Sequence, residues 1–261
     1  MRPMRVPVVQ HRGRRRRALG RRALWTGGEF LVTAGVVLLL LVVHELWWTN
    51  REARQGAEHQ VQALERQWAT PGAGGSDTPS ANSGLAGGSS PRRGTSADGS
   101  TAVTGSAATP RRSQAYAILT IPRLHLRVPI AEGVSKQNVL NKGYVGHYPG
   151  TQQPGQAGNF ALAGHRNTHG EPFRYLPRLR LKDTVQVETS AATYTYTVDK
   201  ILPQTSASDS GVIRPIPRST VRPAYGYSRP GYYITLTTCT PEFTSRYRMA
   251  VWGMLTSTHL R

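Results

Sequence analysis

The chain has one cysteine, Cys239. It closes the run Tyr232-Tyr233-Ile234-Thr235-Leu236-Thr237-Thr238-Cys239. At strand periodicity, Ile234, Leu236 and Thr238 share one face, and Tyr233, Thr235, Thr237 and Cys239 share the other. Thr240-Pro241 ends the pairing, because proline has no N–H to donate. A second strand starts near Arg248, and the connection Thr240 to Tyr247 is short enough for an antiparallel hairpin. Closing that hairpin makes Cys239 and Arg248 cross-strand neighbours, roughly 5 Å apart between Cβ atoms if directly opposed. A thiolate and a guanidinium so placed are a nucleophile and an anion stabiliser within reach of one carbonyl. Arg246 has the same parity as Arg248 but lies further from the apolar run Met249-Ala250-Val251.

A nucleophilic cysteine needs a proton-transfer partner, usually histidine. Of the eight histidines, His11, His44, His59 and His259 fall in the basic tail, at a membrane edge, in a stalk and two residues from the end. His125, His147, His165 and His169 are left. His165 follows the apolar run Asn159-Phe160-Ala161-Leu162-Ala163 through Gly164, so it stands at a strand end; His147 lies in the turn-like Val145-Gly146-His147-Tyr148-Pro149-Gly150. His165, His169 and Glu171 could suggest a metal site. Asn167-Thr168-His169-Gly170, however, reads as a turn and not as a helix holding two histidines on one face. No metal or cofactor is expected. The acids of the C-terminal region are scattered, so no calcium site can be argued.

The elements that must position these residues begin near Gln114. Candidate strands are 117–121, 160–163, 184–189, 194–201, 232–238 and 248–255, several alternating with period two. Helical patterns are short, at 136–141 and 172–176. Residues 113–261 therefore read as a mainly β domain, a barrel or a sandwich.

Net charge is +19, but it is not one feature. Residues 1–30 carry nine arginines and one acid, residues 113–261 carry a net +10, and the stretch between is nearly neutral. The arginine block precedes an apolar segment, 24–48, flanked by Trp25 and Trp47-Trp48. Its length reaches the roughly 20 residues that a membrane span needs. The block reads as topogenic, placing the N-terminus in the cytoplasm and the bulk outside, rather than as a nucleic-acid site. No small-x-small cleavage site follows, so an uncleaved anchor is expected. Residues 51–68 read as a short juxtamembrane helix. Residues 69–112 are rich in Gly, Ser, Thr, Ala and Pro and read as a disordered linker, a tether that sets reach. The organisation is a basic tail (1–23), an anchor (24–48), a juxtamembrane segment with linker (49–112) and a catalytic domain (113–261). Outside the cell an exposed free thiol is an oxidation hazard unless it is used, which strengthens the case for Cys239.

With these residues in place, the domain resembles the sortases, cysteine transpeptidases of Gram-positive bacteria. Thr235-Leu236-Thr237-Thr238-Cys239 matches a T-L-x-T-C signature, and Arg248 stands at the start of the last strand. The runs 146–151, 158–166 and 170–173 resemble the stretch around the family histidine. The likeness covers about 115–256 and is closest to the class E type of actinobacteria. It implies an eight-stranded sortase β-barrel with short helices. It also implies that Cys239 attacks the Thr–Gly carbonyl of a C-terminal sorting signal, that His165 relays the proton, and that Arg248 stabilises the oxyanion or holds the substrate backbone. The signal would be of Leu-Ala-x-Thr-Gly or Leu-Pro-x-Thr-Gly type, and class E implies the former. The acceptor would be an amine of a peptidoglycan precursor, or a pilin lysine. Two other readings are a hydrolytic cysteine peptidase, disfavoured by a strand-borne cysteine that follows its histidine, and a basic wall-binding module.

Overall fold

The computed structural model describes residues 12–69 and 110–261, with side chains of the first helix described from Trp25 onward apart from 26 and 46. The linker expected at 69–112 lies almost wholly outside these residues. The elements are α1 (Arg12–Ala69), β1 (Ala115–Ile121), β2 (Leu126–Glu132), β3 (Val145–His147), β4 (Gly158–Ala163), β5 (Thr184–Glu188), β6 (Ala192–Ser206), β7 (Tyr232–Thr240) and β8 (Tyr247–Leu260). Eight strands close a barrel in the order β1-β2-β3-β4-β7-β8-β6-β5. Neighbours are antiparallel except β2/β3 and β4/β7, which are parallel.

All six strands expected from alternation form, most of them extended by a few residues. Two were missed. β2 contains Pro129, which pairs only with Ile118 of β1, and the β2/β3 ladder begins one residue later at Ile130↔Val145. The missing N–H thus falls where β2 is still an edge. β3 has three residues, too few to show a period. The two helical patterns became turns ending in 3-10 segments, Leu140–Lys142 and Leu176–Arg178.

The barrel interior is filled by buried apolar side chains from every strand, among them Leu119, Ile130, Phe160, Leu162, Val187, Tyr196, Leu236 and Val251. A second cluster lies outside it, where Val212 and Tyr227 of the β6–β7 connection cover Leu202, Tyr233, Ala250 and Trp252. That connection is stapled down by buried hydrogen bonds. Trp252 Nε1 donates to the Val212 carbonyl (3.0 Å), and Asp209 accepts from Thr205, Ser219 and Thr220. β7 is therefore covered on both faces.

α1 is one continuous helix in which the apolar segment runs into the juxtamembrane segment without a break. Its apolar part is exposed from residue 27 to residue 43, and its length and composition fit a membrane anchor. After Asn50 the pattern changes. Ala53, Ala57, Val61 and Leu64 form a stripe at helical spacing, and they are buried against the barrel, Val61 and Leu64 on Ile118 of β1. Arg127 of β2 pairs with Glu65 at 2.8 Å. The helix thus docks before residue 70. These contacts seat the last turns of the helix on the barrel.

Candidate active site

The β4/β7 ladder ends at Ala163↔Thr237, and both strands run the same way. Two residues further along each chain stand His165 and Cys239, side by side at the end of the ladder. Hydroxyls of the Thr-Leu-Thr-Thr-Cys run hold this register. Thr235 Oγ1 donates to Asn159 Oδ1 (2.7 Å), Thr237 Oγ1 to the Leu162 carbonyl (3.1 Å) and Thr238 Oγ1 to the Gly164 carbonyl (2.8 Å). The threonines are buried, so each hydroxyl needs a partner, and each takes one on β4 or beside it. On the other side of β7 the hairpin closes with Cys239 directly opposite Arg248, as expected.

The three side chains meet in one cleft of about 900 Å³. Its walls come from the segment 165–169 with Glu171, from the β7–β8 loop (Phe243, Thr244, Ser245), from Lys136, and from Val43, Glu45, Trp47, Thr49 and Asn50 of α1. Cys239 is a free, half-buried thiol. Arg248 is oriented by its Nη1, which donates to the carbonyls of Ser245 (2.8 Å) and Tyr247 (3.0 Å). Among the described residues it has no carboxylate partner, so its charge stays available to the cleft. Arg246 instead lies over the ring of Tyr247, outside the cleft.

His165 Nε2 meets Asn141 Oδ1 at 2.9 Å, which fixes the ring with Nε2 as donor and leaves Nδ1 as the basic nitrogen. The ring stacks on His169 at 5.4 Å. Burial first, then the nearby charges of His169 and Lys136, lower the His165 pKa from 6.5 to about 4. At neutral pH the imidazole is uncharged, ready to accept a proton. Arg166 Nη1 donates to the Cys239 carbonyl (3.2 Å) and to Thr240 Oγ1 (2.9 Å), tying the histidine segment to the end of β7. Arg166 Nε, Asn167 Oδ1 and His169 Nδ1 are buried in the same segment without a hydrogen-bond partner, so polar capacity remains for a ligand.

All three residues expected from sequence come together here. Asn141, Arg166 and the wall supplied by α1 were missed. Arg166 stood in a quoted motif without a role, and nothing local marks Asn141 or Asn50. His147, the rival histidine, lies elsewhere, buried beside Glu132. His169, Gly170 and Glu171 all have positive φ (53°, 82° and 53°), which bears out the turn reading of that segment.

Residues 119–256 match the family model described as Sortase domain. The chain is 42% identical over 233 residues to Sortase SrtE1 of Streptomyces coelicolor, which covers 87% of this chain and 56% of that protein. It is 34% identical over 256 residues to Sortase SrtE2 of the same organism, covering 94% and 88% respectively. The chain thus spans just over half the length of SrtE1. Among solved structures, Sortase E1 from S. coelicolor with a tripeptide in the active site is 49% identical, with a TM-score of 0.54 over 59% of this chain and 94% of that one. Sortase E from Streptomyces avermitilis is 39% identical, with a TM-score of 0.51 over 57% and 93%. With its closed eight-stranded barrel, its matched domain and these relatives, the chain belongs to the sortase family of cysteine transpeptidases, in the class E branch.

Proposed function

We propose that this chain is a membrane-anchored transpeptidase that uses Cys239 as nucleophile, His165 as proton carrier and Arg248 as oxyanion stabiliser. The observation that carries the reading is the meeting, in one cleft, of a free thiol, a neutral imidazole and an arginine that has no carboxylate partner among the described residues. Cys239 Sγ attacks the carbonyl carbon of the Thr–Gly bond of a C-terminal sorting signal, and its proton passes to His165 Nδ1. The tetrahedral oxyanion is held by Arg248; one such donor contributes about 3 kcal/mol to the barrier. Collapse breaks the C–N bond, and the imidazolium protonates the departing glycine amine. An incoming amine then attacks the thioester and gives a proton to His165, and Cys239 leaves and recovers its proton.

The signal is of Leu-Ala-x-Thr-Gly or Leu-Pro-x-Thr-Gly type and the acceptor an amine of the cell wall. A peptide occupies the active site of the S. coelicolor relative, which supports a peptide ligand here. The apolar part of α1 spans the membrane, with the basic tail cytoplasmic and the barrel outside, following the arginine asymmetry. The +10 of the domain suits an anionic envelope.

The test is mass spectrometry of the full chain incubated with sorting-signal peptides. The expected result is an acyl adduct on Cys239, discharged by an added amine to a transfer product and absent in Cys239→Ala. Full cleavage by Cys239→Ala, or release only to water at saturating amine, overturns the proposal.

A further inference from the structure

Helix α1 does more than reach the barrel. It touches both chain segments that hold His165. On one side, His165 Nε2 is bound by Asn141, which sits in the turn Leu140–Lys142. The next residue, Gly143, has φ +78°, and a Cβ built there would stand 2.7 Å from the Ala53 carbonyl oxygen and 3.4 Å from the Ala53 side chain. The helix backbone therefore rests directly on this turn. Only glycine combines that backbone angle with that approach.

On the other side, the segment after His165 is clamped by two side chains one helical turn apart. Asn50 Oδ1 accepts from the Gly170 N–H (3.1 Å), and Asn50 Nδ2 donates to Glu171 Oε1 (3.0 Å). Arg54 Nε donates to the Gly170 carbonyl (3.2 Å), and Nη2 to Glu171 Oε2 (3.0 Å). Glu171 is buried, and it also takes Arg174 at 2.8 Å, which reaches Glu242 of the β7–β8 loop at 3.4 Å. A Cβ on Gly170 would lie 3.4 Å from Gly143 Cα and 3.5 Å from Arg54 Cγ, so the two turns meet each other beneath α1. The left-handed run 169–171 costs energy at its two non-glycine residues, and such a conformation persists only when its surroundings hold it. The clamp is what holds it.

We propose that Asn50 and Arg54 are positioning residues for His165, so that the last turns of the anchor helix are part of the active site and not only a connection to it. The inference rests on the reading of His165 as the proton carrier. The titratable and charged groups nearest that ring are His169 and Lys136, and those sharing its cleft are Cys239, Arg166, Glu171, Arg248 and, from α1, Glu45.

The experiment uses the full chain in lipid nanodiscs, with peptide cleavage followed across pH. Variants are Asn50→Ala, Arg54→Ala, the pair together, Arg54→Lys, and the exposed Glu52→Ala on another face of the helix as control. For the pair, kcat falls about tenfold with KM within twofold, following the loss expected when a catalytic group is misplaced. The acid limb of the rate profile moves toward pH 6.5 as the ring becomes better solvated. Glu171 keeps Arg174 but loses two partners, so the melting temperature falls below that of Glu52→Ala, and kcat is compared at a temperature where every variant is fully folded. Arg54→Lys keeps the charge on Glu171 and recovers part of kcat. If the pair does not hold its fold, Arg54→Lys and Asn50→Ser give the same split on a smaller scale. Wild-type kcat and an unmoved acid limb in all of these overturn the proposal, as does a fall in kcat that tracks melting alone. His165→Gln runs beside them. If it stays active, the proton-carrier reading itself has failed; if it is dead while the α1 variants are normal, only the present inference has.

Discussion

Two histidines stand near the ends of neighbouring strands, and their surroundings differ in every respect that matters. His147 ends β3 and is 1% exposed. Its Nδ1 lies 2.7 Å from Glu132 Oε2 and 3.1 Å from the Tyr116 hydroxyl, and its Nε2 lies 2.9 Å from Thr151 Oγ1 and 3.1 Å from the Gln152 carbonyl. Both nitrogens are committed, and the ring packs on Phe160. His165 follows β4, has one nitrogen bound by Asn141, and opens onto the cleft with Cys239 and Arg248. A histidine whose hydrogen bonds are all spent can hold a fold together. One with a spare nitrogen, in a cleft that also holds a thiol, can move a proton. Position at a strand end does not separate them; the inventory of partners does.

The comparison breaks if the two can exchange consequences. His165→Gln should lower turnover by three orders of magnitude or more while melting stays near wild type, because the removed group is the proton carrier. His147→Ala should do the reverse. It removes a fully buried ring that packs on Phe160 and leaves its hydrogen-bond partners unmatched, a loss of about 3 kcal/mol, while the fraction that stays folded keeps kcat within a few-fold. Thermal melts and active-site titration of each variant distinguish the two. A stable, inactive His147→Ala would show that the network around it reaches the chemistry.

Arg248 and Arg246 allow the next test, on the same logic of what faces the cleft. Arg248→Ala should cost about 10²–10³ in kcat, the range for loss of one oxyanion donor. Arg248→Lys should restore only part, since the two carbonyls that orient the guanidinium fit its planar fork. Arg246→Ala should change kcat less than twofold, because its side chain lies on Tyr247. Equal losses at both positions would mean that charge near the cleft matters more than geometry.

These contrasts also show what sequence carried. The pairing of Cys239 with Arg248 was legible because a short hairpin sets the strand ends side by side and Arg248, unlike Arg246 of the same parity, adjoins the apolar run of β8; the barrel strands were legible where side chains alternate. β2 and β3 were not, since Pro129 hides an edge ladder and three residues have no period. The residues alone left His125, His147, His165 and His169 open, and the resemblance singled out His165; the physical reason, unspent hydrogen-bonding capacity, exists only in three dimensions. Asn141 and the clamp of Asn50 and Arg54 on residues 170–171 were invisible. Their partners are 24 to 121 residues away, and asparagine in a turn or a polar helix has an ordinary local explanation. The long helix was read as two pieces because composition changes at the tryptophans, although the backbone continues through them.

The smallest effect separates the cleft histidine by its titration. Burial, with His169 and Lys136 nearby, lowers the His165 pKa to about 4 in the folded chain, from 6.5 when unfolded. Between these values the unfolded chain binds a proton that the folded chain refuses, so acidification favours unfolding. The contribution is fully present above pH 6.5, is lost as pH falls through this window, and is gone below about 4. Asp209 titrates lower. Burial raises its pKa, but hydrogen bonds from Ser219, Thr205 and Thr220 outweigh that and hold it below the usual 3.8, so its loss falls outside the window. Urea midpoints measured at pH 7.5, 5.5 and 4.5 should therefore fall less steeply in His165→Gln than in wild type. His169, also lowered by burial, keeps some slope in that variant, and His165→Gln with His169→Gln should be flatter still. Lys136→Gln removes one of the charges that depress His165, so it should raise the folded pKa and narrow the window from below. Equal slopes in wild type and His165→Gln would mean that the imidazole is solvated in the resting enzyme, and the contrast with His147 would then rest on hydrogen-bond partners alone.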